Sequence, residues 1–227
     1  MTSEERELLA LFRGMVNENR LQLIERIMAL RTRYITVVLE DIYQPQNASA
    51  VLRTCDCLGI QDVHVIENRN RFEPNAEVEL GSAQWLTITT YNSGEENTTA
   101  ALRSLKNDGY RIVATTPHER ESQLSEFDLS KGKTALLFGT EISGLSDAAM
   151  DLADEFIRIP MMGFTESFNI SVSAAIILYT LRERLEHLDL PWQLSDQEKE
   201  RLRYFWTRNS VKNAGLIERA FKKRKAK

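Results

Sequence analysis

Apolar positions in the first 30 residues recur every three or four places, at Leu8, Leu9, Phe12, Val16, Leu21, Ile24, Ile27, Met28 and Leu30. That spacing predicts two short amphipathic helices. From Tyr34 the pattern changes to short runs rich in β-branched and apolar residues, at 35–39, 63–66, 86–90, 111–115, 135–138 and 156–159. Helical stretches at 48–58, 95–105 and 147–153 separate several of them. Strands alternating with helices predict an α/β fold, a mostly parallel sheet with helices on both faces. Residues 169–187 predict the most apolar helix of the chain, whose run 172–178 is too continuous for a surface helix. It should be buried against the sheet or against a second subunit. Pro191 and Trp192 then break the pattern, and Ser195 with Glu198 three residues later forms a capping box that opens a charged helix. These breaks predict three parts: a helical extension at 1–33, a core domain at 34–188 and a basic helical extension at 189–227.

A chain of 227 residues with 42% hydrophobic content can bury one sizeable core. Charges interrupt residues 1–33 throughout, so they do not read as a signal peptide, and no apolar run approaches the roughly 20 residues of a membrane span. The expectation is a cytoplasmic protein with no membrane contact. Cys55 and Cys57 lie two apart on a predicted helix and point in different directions, which suits reduced thiols rather than a disulfide or a metal pair. Charge is distributed unevenly. Residues 199–227 carry eleven Lys and Arg against Glu200 and Glu218, a segment charge of +9 that leaves −13 on the rest of a chain whose net charge is −4. A basic end on an acidic body suits a protein that touches a polyanion with one part only, although a solvated tail would show the same map.

Several chemistries are excluded by what the loops lack. No glycine fingerprint for a dinucleotide follows the first strand, where the chain reads Asp41-Ile42-Tyr43-Gln44-Pro45-Gln46-Asn47. The segment from Gly139 to Ser146 has the outline of a phosphate loop, but Leu145 stands where a lysine would neutralise phosphate. His64, His187 and the pair His118-Glu119 have no second ligand at metal spacing.

Three polar clusters remain, each just after a predicted strand, where open α/β sheets bind ligands. The first is Asn47-Ala48-Ser49-Ala50-Val51-Leu52-Arg53-Thr54, which could be no more than an Asn cap followed by an arginine. The second, around Gly139-Thr140-Glu141-Ile142-Ser143-Gly144-Leu145, could be an ordinary glycine-rich turn. The third runs from Ile159 to Ser173, where Ser167 or Asn169 could simply cap the apolar helix. In order and spacing the three together resemble the signature motifs of the SpoU, or TrmH-like, RNA 2′-O-methyltransferases, over about residues 34–184.

That resemblance implies a sheet whose C-terminal portion is tied in a deep trefoil knot, a homodimer using the long apolar helix, and S-adenosylmethionine as cofactor, with no metal. Position by position it implies Asn47 and the catalytic Arg53 from the first motif, Glu141 from the second, and Ser167 and Asn169 from the third. The cofactor would sit bent against Thr115, Thr116, Gly139, Glu141, Gly144, Ile159, Met161, Ser167, Phe168 and Asn169. Helical extensions at both ends resemble those of the tRNA-modifying members, which implies tRNA as partner and a D-loop guanosine ribose as target. Ribosomal RNA, another tRNA position, or a non-catalytic RNA-binding role on the same fold stay open. RNA contacts would fall on Arg53, Arg182, Arg184, Lys212, Lys222, Lys223 and Arg224. An arginine is a poor proton acceptor, with a pKa above about 12, so Arg53 is expected to clamp phosphate and stabilise a developing alkoxide.

Overall fold

The computed structural model describes residues 1–73, 75–116, 122–140 and 143–225. Its helices are α1 (Ser3–Arg13), α2 (Glu18–Met28), α3 (Pro45–Cys57), α4 (Ala76–Glu79), α5 (Thr98–Asn107), α6 (Asp147–Leu152), α7 (Ile170–Glu186), α8 (Asp196–Asn209) and α9 (Ala214–Lys225). Its strands are β1 (Ile35–Glu40), β2 (Asp62–Ile66), β3 (Thr87–Tyr91), β4 (Arg111–Thr115), β5 (Ser122–Gln123), β6 (Thr134–Phe138) and β7 (Glu155–Arg158). The chain divides into two units, Thr32–Trp192 and a second built from both ends, Met1–Arg31 with Gln193–Lys227. The two expected extensions are therefore one unit, because the apolar stripes of α1 and α2 find their cover on α8.

In the larger unit the seven strands form one sheet in the order β3-β2-β1-β6-β4-β7-β5, with every pairing parallel. Side chains alternate across a strand, so β1 feeds two cores. Val37 and Leu39 join Val113, Leu136, Phe138 and Ile157 under α3 and α7, whereas Val38 joins Ile112, Ala135 and Leu137 under α5 and α6. Every residue of β1 is buried as a result, and four of its six residues are apolar. The expected parallel sheet with helices on both faces is what the chain forms.

Helix α7 meets the sheet with one face, as expected of it. Ile170, Ala174, Ile177, Leu178, Leu181 and Leu185 are buried along one face, against the sheet and α3. Val172 and Tyr179 remain 43% and 64% exposed. The continuous apolar run is thus buried on one side only within this chain.

The smaller unit is held by Leu8 and Phe12 of α1 packing with Ala214, Ile217 and Phe221 of α9, with Val211 in the turn before it, and with Tyr204 of α8. Arg31, only 1% exposed, stacks over the Trp206 ring at 5.0 Å. Arg203 grips Glu25 through two hydrogen bonds of 2.5 and 2.8 Å, and Arg208 grips Glu218 through two of 2.7 and 3.0 Å. The capping box expected at Ser195 and Glu198 is present. Phe221, the aromatic of α9, is partly buried against this cluster. No helix among the described residues is long and apolar enough to cross a membrane.

Candidate functional site

The C-terminal ends of β4, β6 and β7 open onto a cavity of about 580 Å³, lined among others by Thr115, Thr116, Phe138, Ile157, Ile159 and Met161. It lies where crevices form in parallel sheets, and its size is that of a small-molecule site. Gly139, Gly144, Ser167 and Phe168 also line it. Eight of the ten residues expected around a cofactor are therefore brought together. Asn169 sits one residue before the lining Ile170, and Glu141 lies outside the described residues.

Local chemistry explains each wall. After β6 the chain doubles back so tightly that the Thr140 N–H donates to the Gly144 carbonyl at 3.0 Å and the Gly144 N–H donates to the Thr140 carbonyl at 3.1 Å. Thr140 Oγ1 accepts the Ser143 N–H at 3.0 Å, and the two hydroxyls lie 2.7 Å apart. Gly144 takes φ +67°, a conformation that favours glycine. A Cβ on Gly139 would fall 2.3 Å from the Gly144 carbonyl carbon and oxygen, so this position is fixed by close approach. The third wall ends where Asn169 caps α7, its Oδ1 accepting the Ser171 N–H at 2.9 Å and the Ser171 hydroxyl at 2.6 Å.

Asn47 is not a helix cap. Pro45 occupies the first turn, Gln44 takes the cap position, and Asn47 lies inside the first turn of α3. Buried there, its Oδ1 accepts from Asn169 Nδ2 at 3.1 Å, which ties the first cluster to the third. Arg53 sits six residues further, about 9 Å along the helix axis. It does not line the cavity; exposed, it lines a separate groove with Ala50, Cys57, Ala175, Ile176 and Tyr179. Among the described residues it makes no hydrogen bond or ion pair.

Two arginines expected at RNA lie inside the larger unit. Arg182 is 6% exposed, stacks on the Trp192 ring at 4.3 Å and pairs with Glu186 at 3.0 Å, and burial pulls its pKa down. Arg184 donates to the carbonyls of Leu124 at 3.0 Å and Phe127 at 2.6 Å. Both side chains are engaged within the larger unit, where they hold the end of α7. In the smaller unit Lys212, Lys222, Lys223 and Arg224 are exposed. Lys222 lies 3.5 Å from Glu4, a surface pair of small worth.

Sequence reading passed over two carboxylates at the end of β1 that organise neighbouring segments. Glu40, 3% exposed at the end of β1, accepts from Thr98 Oγ1 at 2.6 Å, Ser146 Oγ at 2.7 Å and the Ser146 N–H at 2.9 Å. It thereby fixes the starts of α5 and α6, the latter just beyond the Gly139–Leu145 wall. A lone Glu ending an apolar strand was the available signal. Asp41, at φ +56°, accepts the N–H groups of Asn68, Arg69 and Asn70 at 2.8–3.1 Å through one oxygen. Among the described residues no three His, Cys, Asp or Glu side chains gather as a metal site.

Residues 34–179 match the model of the SpoU rRNA Methylase family. A tRNA (guanosine(18)-2′-O)-methyltransferase of Borreliella burgdorferi is 45% identical over 195 residues, covering 86% of this chain and 87% of the relative. The crystal structure of an Aquifex aeolicus TrmH/SpoU tRNA modifying enzyme superposes with a TM-score of 0.76 at 28% identity, covering 86% of this chain and 98% of the other. The SpoU methyltransferase AviRb from Streptomyces viridochromogenes, solved in complex with the cofactor AdoMet, shares the fold at a TM-score of 0.57 and 23% identity, over 71% of this chain and 61% of its own.

Proposed function

Since this chain belongs to the SpoU methylase family, we propose that it transfers the methyl group of S-adenosylmethionine to the ribose 2′-hydroxyl of guanosine 18 in tRNA, the reaction named for its relative at 45% identity. The observation that carries this reading is the cavity at the ends of β4, β6 and β7, walled by the second and third clusters and tied to the first through Asn47 and Asn169. The residues present fit the cofactor. Phe138, Ile159 and Met161 offer apolar surface to an adenine, and the glycine-rich wall brings backbone N–H and carbonyl groups close to whatever the cavity holds.

When bound, the sulfonium supplies an already activated methyl group, so the protein's task is alignment and charge. Arg53 keeps its proton on the guanidinium and stabilises negative charge growing on the ribose oxygen, while a neighbouring RNA phosphate takes the hydroxyl proton. Asn47, Glu141, Ser167 and Asn169 orient these groups. The reading includes a homodimer formed over the Arg53 groove. What supports it is the half-exposed apolar side of α7 and the placement of Arg53 away from its own chain's cavity. It includes the trefoil knot as well, supported by the insertion of the late strand β6 between β1 and β4. A cytoplasmic location and a reaction without metal belong to the same proposal.

The test is methyl transfer from radiolabelled S-adenosylmethionine to an unmodified tRNA transcript, followed by nuclease digestion and mass mapping. A single 2′-O-methylguanosine at position 18 is expected. Methylation of ribosomal RNA alone, or at another tRNA nucleotide, would replace the substrate named here, and no transfer to any RNA would leave an RNA-binding role.

A further inference from the structure

Among the cavity's described lining residues outside the three clusters, one is a cation. Arg158 ends β7 with its backbone in the sheet, paired to Gln123 of β5, and strand alternation sends its side chain to the face opposite Ile157, toward α6. There it lines the cavity with Asp147 and Met150. Its Nε is buried and unbonded, and among the described residues the side chain makes no hydrogen bond or ion pair. A desolvated guanidinium N–H without an acceptor is costly, because the group gives up water and receives nothing in return. Arg111, on the neighbouring strand, leaves its Nε unbonded as well, but its terminal nitrogens meet Glu155 and the Asp128 carbonyl, whereas those of Arg158 meet nothing among the described residues. Arg158 is also the one Lys or Arg among the described lining residues, whereas Asp147 and Glu166 supply negative charge.

A cavity with one unpaired cation near a carboxylate has the charge pattern of an amino-acid zwitterion. We infer that Arg158 receives the α-carboxylate of the cofactor's methionyl tail, with Asp147 on the side of the α-ammonium. The inference rests on the S-adenosylmethionine reading above. The planar fork of arginine suits a carboxylate better than a lysine would, since two parallel N–H groups meet two oxygens. No covalent step is involved; Arg158 binds and orients, and fixing the tail fixes the sulfonium it carries.

The experiment is a thermodynamic cycle read by calorimetry, without turnover. S-adenosylhomocysteine and its decarboxylated analogue, S-adenosyl-3-thiopropylamine, which lacks only the carboxylate, are titrated into the wild type, Arg158→Gln and Arg158→Ala. Wild type should prefer the carboxylate-bearing ligand by about 10- to 100-fold, the scale of a charge-assisted hydrogen bond. In both variants that preference should fall to within about threefold, with the decarboxylated ligand bound nearly as well as by wild type. Thermal unfolding of each variant confirms that the fold is kept, and the near-isosteric Gln variant secures the result should Ala destabilise the sheet. A preference that survives in Arg158→Gln, or an equal loss for both ligands, overturns the assignment. If tRNA affinity alone falls, the anion is a phosphate and the inference is wrong. Failure of the wild type to bind S-adenosylhomocysteine at all would instead overturn the cofactor reading.

Discussion

Adding one methyl group at Gly139 should damage cofactor binding more than adding one at Gly144, although only Gly144 has the backbone angle that favours glycine. An ideal Cβ at Gly139 meets the Gly144 carbonyl carbon and oxygen at 2.3 Å and the Leu145 nitrogen at 2.5 Å. All three are backbone atoms, so no rotamer change relieves the clash, and the turn must open by about 1 Å to reach van der Waals contact. Opening breaks the pair of hydrogen bonds between Thr140 and Gly144, at about 1 kcal/mol each, or else leaves overpacking strain of about 1–3 kcal/mol. At Gly144 the added Cβ meets open space, and the cost is the left-handed conformation alone, about 1–2 kcal/mol. Because Gly139, Thr140, Ser143, Gly144 and Leu145 all line the cavity, a displaced turn should appear directly in affinity. Calorimetric titration of S-adenosylhomocysteine should show Gly139→Ala weakened by about 30-fold or more, from roughly 2 kcal/mol at 1.4 kcal/mol per decade, and Gly144→Ala by less than about tenfold. Binding by a folded Gly139→Ala within threefold of wild type would refute the reasoning, since the close approach would then be dispensable.

Further outcomes follow from the same geometry. Arg53→Ala should keep cofactor affinity within a few fold while turnover falls by about 100-fold or more, and Arg53→Lys should recover little of it; near-normal turnover in either variant removes Arg53 from the chemistry. Replacing Lys212, Lys223 and Arg224 together with Gln should weaken tRNA binding and reduce its salt slope by roughly 0.7–0.9 for each phosphate no longer engaged, measured by affinity at several salt concentrations; an unchanged slope means these side chains are only solvated. Truncation after Arg208 is expected to unfold the smaller unit, because it strips Leu8 and Phe12 of Ala214, Ile217 and Phe221; an unchanged melting profile would show α9 to be an ornament. Burial holds the His64 pKa down to about 4, so the folded state resists protonation while the unfolded state accepts a proton below about 6.5. Stability from this group is therefore fully present above pH 6.5 and declines toward pH 4, by up to about 3 kcal/mol. Denaturant titrations at pH 7, 5.5 and 4 should show a shallower decline in His64→Gln than in wild type, and parallel declines would contradict the assignment.

The strands of the larger unit were legible because alternation and β-branched runs are local properties. Six of seven were placed within a residue or two. β5, two residues long, pairs among the described residues only with β7 and carries no local pattern. Arg182 and Arg184 read as surface cations because nothing near them in sequence announces a partner: the aromatic that covers Arg182 arrives ten residues later, and the carbonyls that hold Arg184 lie about 60 residues earlier. Glu40 is the same lesson in reverse, a carboxylate whose donors stand 58 and 106 residues away. The cavity walls were legible only through the order and spacing of three clusters. Arg158 escaped because, in the sequence, it is merely a polar residue inside a short strand.

That the first and last helices of the chain share one unit has a consequence for synthesis. Leu8 and Phe12 leave the ribosome roughly 190 residues ahead of α8 and α9, which cover them. At about 5–20 residues per second the interval is roughly 10–40 s, far longer than a helix needs to form. For that time α1 and α2 are amphipathic segments with an uncovered apolar side, the kind of surface a ribosome-associated chaperone captures. The apolar side of α1 is made well before the helices that cover it.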